Sequence, residues 1–296
     1  LATLPALLGA IYFFGWQVLL TLLVAGLAGG LTLWAFSRLR RGVFFDGLVV
    51  TVLLLTLLLP PGFPLWLVAL GAIAAFGVRE LLGGLGVSPF QPALVGYALL
   101  ALLFPGVFTA HWAEPIAGGF SAWAPPPESL GALTPLIALR QGQEASLGQL
   151  LWGGVPGPVG NAAGWLLLLG GLYLLLRGAI DWRIPVGMIL TLWIGQSLLA
   201  MTFPEWFQGS WLLHLLTGSF LLGAFWLAAD PAASPMTPRG KWLFAIGAAL
   251  LIVLLRGLAP HPEAAVAFGI LAMNVLVPWL DRVTIPRSFC GGGHSA

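Results

Sequence analysis

The chain has 296 residues, of which 59% are hydrophobic and 7% charged, with a formal net charge of +2. A soluble domain carries about 25% charged residues, so the composition excludes an ordinary globule and implies a polytopic helical membrane protein. The single cysteine, Cys290, excludes an internal disulfide or a cysteine-cluster metal site within one chain.

The apolar runs are continuous, as in the uncharged stretch between Asp46 and Arg79. Such runs do not fit the alternating strands of an outer-membrane barrel. Residue 1 is a leucine inside an apolar run, so the natural N-terminus is expected to precede it, and no cleavable signal is identifiable. A crossing needs roughly 20 apolar residues, fewer where a helix is broken. On that basis about ten segments are predicted, at 1–14, 16–37, 47–60, 64–82, 91–110, 158–177, 184–203, 209–229, 242–257 and 264–280. Segment three stops at Pro60-Pro61 and segment eight at Asp230-Pro231, and both are expected to be short, broken helices. Between segments five and six runs a long connection, 111–157, rich in Pro, Gly and Trp.

The positive residues test this count. With Arg38, Arg40 and Arg41 in the cytoplasm and every segment crossing, Arg79, Arg177, Arg183, Arg239, Lys241, Arg282 and Arg287 also fall inside. Only Arg140 and Arg256 then face out. Both termini are expected in the cytoplasm, and the long connection outside.

The two halves repeat. Pro64 to Ala72 resembles Gly240 to Ala248, and each half continues through an arginine (Arg79, Arg256) into a helix ending in Phe104-Pro105 or Val277-Pro278. Five crossings per half is an odd number, so the repeats must be inverted, a transporter-like signature. The predicted organisation is all-α: a first membrane repeat over 1–110, the extracytoplasmic connection 111–157, a second repeat over 158–287 and a cytoplasmic tail at 288–296.

Several stretches carry candidate chemistry. Gly83 to Pro92 is the densest turn signal. Gly83 and Gly84 permit close backbone approach to a ligand, and a tight turn is the plain alternative. Asp230 can cap, pair with Arg239 or Lys241, or line an ion path. Asp46 reads as the N-cap of segment three, and His214 as a hydrogen-bonded interior histidine. No zinc, haem, P-loop or GxSxG motif is present, nor a basic stripe for nucleic acid. In Gly131-Ala132-Leu133-Thr134, small residues precede a threonine whose hydroxyl is expected to be exposed and able to form a phosphoester. A loop threonine before a proline is the plain alternative.

Leu57 to Pro61, Gly83 to Gly96, Trp182 to Pro185, Asp230 to Pro238 and Met273 to Arg282 together resemble the RnfD/NqrB family. These are membrane flavoprotein subunits of the Rnf ferredoxin:NAD oxidoreductase and of the sodium-pumping NADH:quinone reductase. The resemblance implies a ten-helix inverted-repeat fold and an FMN joined to Thr134, beside Gly131 and Ala132. Leu133 stands where the family usually has alanine, and Tyr97 where it commonly has arginine. Asn161 is the flavin contact implied in a stretch that differs from the family's. A riboflavin-like second flavin between the repeats is implied as well, and no metal.

The partners implied are RnfA, RnfB, RnfC, RnfE and an RnfG-like subunit, in a bacterial cytoplasmic membrane. The function implied is an electron relay coupled to Na⁺ or H⁺ movement, with Asp46, Glu80, Asp230 and Asp281 as the charged candidates for the ion path. The alternatives are an NqrB-like role, with quinone reduced near Gly83 and Gly84, and a cofactor-free solute channel or carrier on the same repeats.

Overall fold

The computed structural model describes residues 1–39, 47–84, 88–116, 119–143 and 145–285. Among them the chain is helical, and a lone antiparallel bridge between Ala113 and Leu130 is the only strand-like pairing. The first half holds α1 (Leu4–Phe14), α2 (Gln17–Leu39), α3 (Leu48–Leu58), α4 (Leu65–Leu81), α5 (Pro92–Leu103) and α6 (Pro105–Ala110). The connection holds α7 (Pro135–Arg140) and α8 (Leu147–Trp152). The second half holds α9 (Gly164–Leu176), α10 (Arg183–Thr202), α11 (Trp211–Leu216), α12 (Phe220–Leu222), α13 (Pro238–Leu258) and α14 (Ala265–Thr284).

Four helical stretches are long and apolar enough to cross a bilayer: Gln17–Leu39, Arg183–Thr202, Pro238–Leu258 and Pro262–Thr284. Segments five, six and eight hold shorter helices than predicted, because prolines and glycines interrupt them. Segment five breaks at Phe104-Pro105, where the ring removes a backbone donor. Segment three is an unbroken helix of 11 residues, ended by the extended Leu59 before Pro60. Segment eight is broken as expected. After α11 the chain passes through Gly218 (φ +56°) and Ser219 (φ +57°), both left-handed, then continues as α12 and a π-helical turn over Gly223–Leu227.

Small residues at helix contacts let backbones approach closely. On α2, Thr21, Ala25 and Gly29 face the interior, while Leu23, Leu27, Leu31 and Trp34 form an exposed apolar stripe. α4 and α5 cross backbone to backbone at two glycines. A Cβ on Gly96 would stand 2.4 Å from the Gly71 carbonyl, so no larger residue fits there.

The same packing order recurs in both halves. α4 packs between α2 and α5, and α13 packs between α10 and α14. The halves meet where α5 packs on α14 and α1 on α9. The connection lies over one end of this bundle. The Ile116 amide donates to the Phe13 carbonyl, the Val159 amide to Leu59, and the Arg140 guanidinium to three carbonyls at the C-terminus of α13. The opposite end is tied by Lys241 to Asp181 and by the short Thr237–Thr284 hydroxyl contact.

Candidate functional site

Thr134, Asn161, His214, Thr217, Ser219, Arg256 and Glu263 are buried polar residues at the connection end, around the break in segment eight. A broken helix leaves carbonyls without amide donors. Arg256 on α13, itself buried, supplies them: it donates to the carbonyls of His214 (2.5 Å), Thr217 (2.8 Å) and Gly218 (3.3 Å). Its guanidinium also sits over the Phe220 ring, 5.6 Å from the centroid. Asn161 reaches the same break from the other side, its amide nitrogen donating to the Leu216 carbonyl at 2.8 Å. The two arginines expected to face out are thus anchors, Arg256 for the break and Arg140 for the end of α13. His214 makes one ring contact, donating to the Gln208 carbonyl at 2.9 Å, as an interior histidine should.

Thr134 is found here, at the head of α7. Gly131 turns the chain with φ +80°, and the Ala132 amide donates to the Trp112 carbonyl at 3.1 Å. These place the threonine with 0% of its surface exposed. The expectation of an exposed hydroxyl is therefore overturned: the connection folds inward at this point because Pro135, Leu136 and Leu139 of α7 are buried too. The Thr134 hydroxyl has no hydrogen-bond partner. It lies within interaction range of the Glu263 carboxylate, but the pair does not reach hydrogen-bond geometry, and both carboxylate oxygens are likewise unpartnered.

Glu263 is the residue that sequence reasoning missed. It follows Pro262 at the start of the last segment, where an acid is usually explained by the helix N-terminus. In the structure it is 6% exposed and faces Thr134, Arg256 and Tyr97. It also lines a cavity of about 350 Å³ between the two halves, together with Tyr97, Phe108, Trp112, Ile137 and Phe268. Recesses of roughly 300–1,000 Å³ with apolar walls and a few polar groups are typical small-molecule sites.

The other candidates lie elsewhere. Glu80 forms a buried ion pair with its neighbour Arg79 at 2.7 Å. Gly83 and Gly84 follow with positive φ, and a Cβ on Gly84 would meet the Glu80 carboxylate at 3.5 Å. Asp230 pairs with neither Arg239 nor Lys241; its carboxylate accepts from the Ala232 amide at 3.0 Å, and burial raises it above the usual carboxylate range. Lys241 is taken instead by Asp181 at 2.8 Å. Asp281 accepts from the Met236 amide at 3.0 Å, fixing the 230–237 connection to α14. Asp46 lies outside the described residues, and the residue heading α3 is Gly47. The structure thus separates Thr134, Gly131, Ala132 and Asn161 at one end from Glu80, Gly83, Gly84, Asp230 and Asp281 at the other. Among the described residues no cluster suits a metal ion.

These features define a polytopic all-α membrane protein with two similarly packed halves and a recess of small-molecule size between them. The chain matches the model of the NQR2, RnfD, RnfE family over residues 1–290, and it belongs to that family. It is 35% identical to the D component of the ion-translocating oxidoreductase complex of Ectopseudomonas mendocina (strain ymp), over 99% of this chain and 90% of that protein. It is 34% identical to the component of the same name from Yersinia pestis, over 100% of this chain and 93% of that protein.

Proposed function

We propose that the protein is an electron-relay subunit of an ion-translocating oxidoreductase complex, carrying FMN as a phosphoester on Thr134. The relatives' names support the complex. The observation that carries the flavin is the Thr134 hydroxyl, fully buried yet without a partner, next to a residue that lines the inter-half cavity. A buried hydroxyl normally finds a hydrogen bond, and an ester at that oxygen removes the donor that is otherwise left over. Because the hydroxyl is enclosed, attachment precedes closure of the connection over it. When bound, the flavin supplies the one- and two-electron chemistry that no side chain of this protein has. The chain's own part is to seat it: Gly131 and Ala132 give the approach, and the apolar walls exclude water.

The charge distribution supports placing the connection end outside the cytoplasmic membrane. Arg38, Arg79, Arg177, Arg183, Arg239, Lys241 and Arg282 belong to the opposite end. On this reading both termini are cytoplasmic. Glu80, Asp230 and Asp281, with Asp46, form the cytoplasmic approach to an Na⁺ or H⁺ path, and a riboflavin-like second flavin sits between the halves. Partner subunits supply the oxidation and reduction of substrates.

Intact mass of the purified subunit tests the central claim. The expected mass is that of the chain plus one esterified FMN, with flavin fluorescence persisting in the denatured band and absent from Thr134→Ala. An intact mass equal to the bare chain sinks it.

A further inference from the structure

Glu263 has no partner of the kind a buried carboxylate needs. Neither oxygen accepts a hydrogen bond, and none of the ion pairs among the described residues includes it. An ionised carboxylate without a partner is far more costly to bury than a neutral acid. Groups from four directions face it. Arg256 approaches from α13, but its two terminal nitrogens are committed to the His214, Thr217 and Gly218 carbonyls. Tyr97 approaches from α5, Thr134 from the head of α7, and the bare backbone of Gly218 from the break; a Cβ there would stand 3.0 Å from Oε2. His261, two residues earlier in the same turn, lines the same cavity.

A hard metal cation needs several oxygens at once. The Thr217 and Gly218 carbonyls of the neighbouring break already accept from Arg256, whose positive charge also repels a second cation. A proton needs only one oxygen.

We propose that Glu263 is a proton-binding site of the inter-half cavity: a carboxyl that is neutral in the closed protein and exchanges its proton through the cavity. Uptake forms one O–H bond on the carboxylate and moves no electrons. The acid so formed can donate to the Thr134 oxygen. A phosphoester on Thr134 would place a further negative charge beside Glu263 and strengthen the preference for the neutral form, but the site does not require the flavin. It adds a proton-carrying group at the end of the bundle opposite Glu80, Asp230 and Asp281.

Dicyclohexylcarbodiimide reads this directly, because it takes the proton of a neutral carboxyl onto its own nitrogen. The carboxylate then adds to the carbodiimide carbon, and an acyl shift leaves a stable N-acylurea. The complex in native membranes is treated across a pH series, with and without NaCl, and peptides are mapped by mass. Glu263 is expected to be modified in preference to the exposed Glu114, Glu128 and Glu205. Its labelling is expected to fall about tenfold per pH unit once the group ionises and to be unaffected by NaCl. Glu263→Gln assigns the adduct. In Tyr97→Arg a guanidinium faces the carboxylate and holds it ionised, so the adduct is expected to disappear.

An unmodified Glu263 in the wild-type protein at every pH overturns the proposal. So does protection by NaCl, which would make the site a sodium site, and so does undiminished labelling in folded Tyr97→Arg. Intact mass on the same sample reports the Thr134 flavin separately, so failure of one reading is visible apart from the other.

Discussion

The two ends of this bundle handle buried polarity in opposite ways, and the pair Arg79 and Arg256, matched in the two halves, shows it. Arg79 meets an acid, Glu80, one residue along its own helix. Arg256 meets backbone carbonyls released by a broken helix, while the nearest acid, Glu263, stays outside ion-pair range. Around Arg79 most of the remaining charges are exposed, as with Arg38, Arg177, Arg239 and Arg282, or paired, as in the Asp181–Arg183–Lys241 group, while Asp230 and Asp281 each accept a backbone amide. Around Arg256, the side chains of Thr134, Asn161, Ser219 and Glu263 are buried with at least one polar atom unpartnered. Unsatisfied buried groups are destabilising. That concentration of unpartnered groups is the reason the flavin and the proton are both proposed at this end.

The sharpest way to break the comparison is Arg256→Met. It strands three buried carbonyls and removes the charged donor at the break, so the expected loss is about 3–5 kcal/mol, seen as failure to accumulate in membranes or a large drop in the unfolding temperature in detergent. If the variant is as stable as the wild type, the break does not depend on Arg256 and the contrast between the two arginines fails.

Gly218→Ala should cost less, about 1–2 kcal/mol, from a left-handed backbone that L residues resist. The new Cβ would also stand 2.8 Å from the Arg256 nitrogen and from Leu136. The readout is thermal unfolding, and an unchanged midpoint means that the break is flexible.

The smallest effect is expected at the other end. Burial opposes the charge on Asp181, but hydrogen bonds from Lys241 and the Arg183 amide, and the charges of those two residues, outweigh it and hold the carboxyl below its ordinary value of 3.8. Its contribution is therefore complete above 3.8 and is lost as pH falls through the lower folded value. Being partly solvated, the group is worth about 0.2–1 kcal/mol. Stability measured against pH for the wild type and Lys241→Met should converge at acid pH and diverge by that amount near neutrality. Parallel curves would show that the pairing is not the cause.

Much of this molecule is legible in its sequence, for reasons that act over short stretches of chain. Uninterrupted apolar runs specify lipid-facing helices, because unpaired backbone is prohibitive in a bilayer. Pro60-Pro61, Pro105 and Asp230-Pro231 mark where helices stop, since proline removes a donor wherever it falls. The lopsided arginines, and the recurrence of Trp, Gly and Arg spacing in both halves, announce the paired packing of α2–α4–α5 and α10–α13–α14. Thr134 stood out because small residues and a proline surround it.

Only the tertiary structure decided what Thr134 touches. Its burial depends on where α7 docks, and its neighbour Glu263 comes from the far end of the chain, through a contact that no local period encodes. The same holds for the burial of Arg256, which the sequence assigns only to the outer side of the membrane. At that end the structure buries it against the carbonyls of a broken helix, which need its donors.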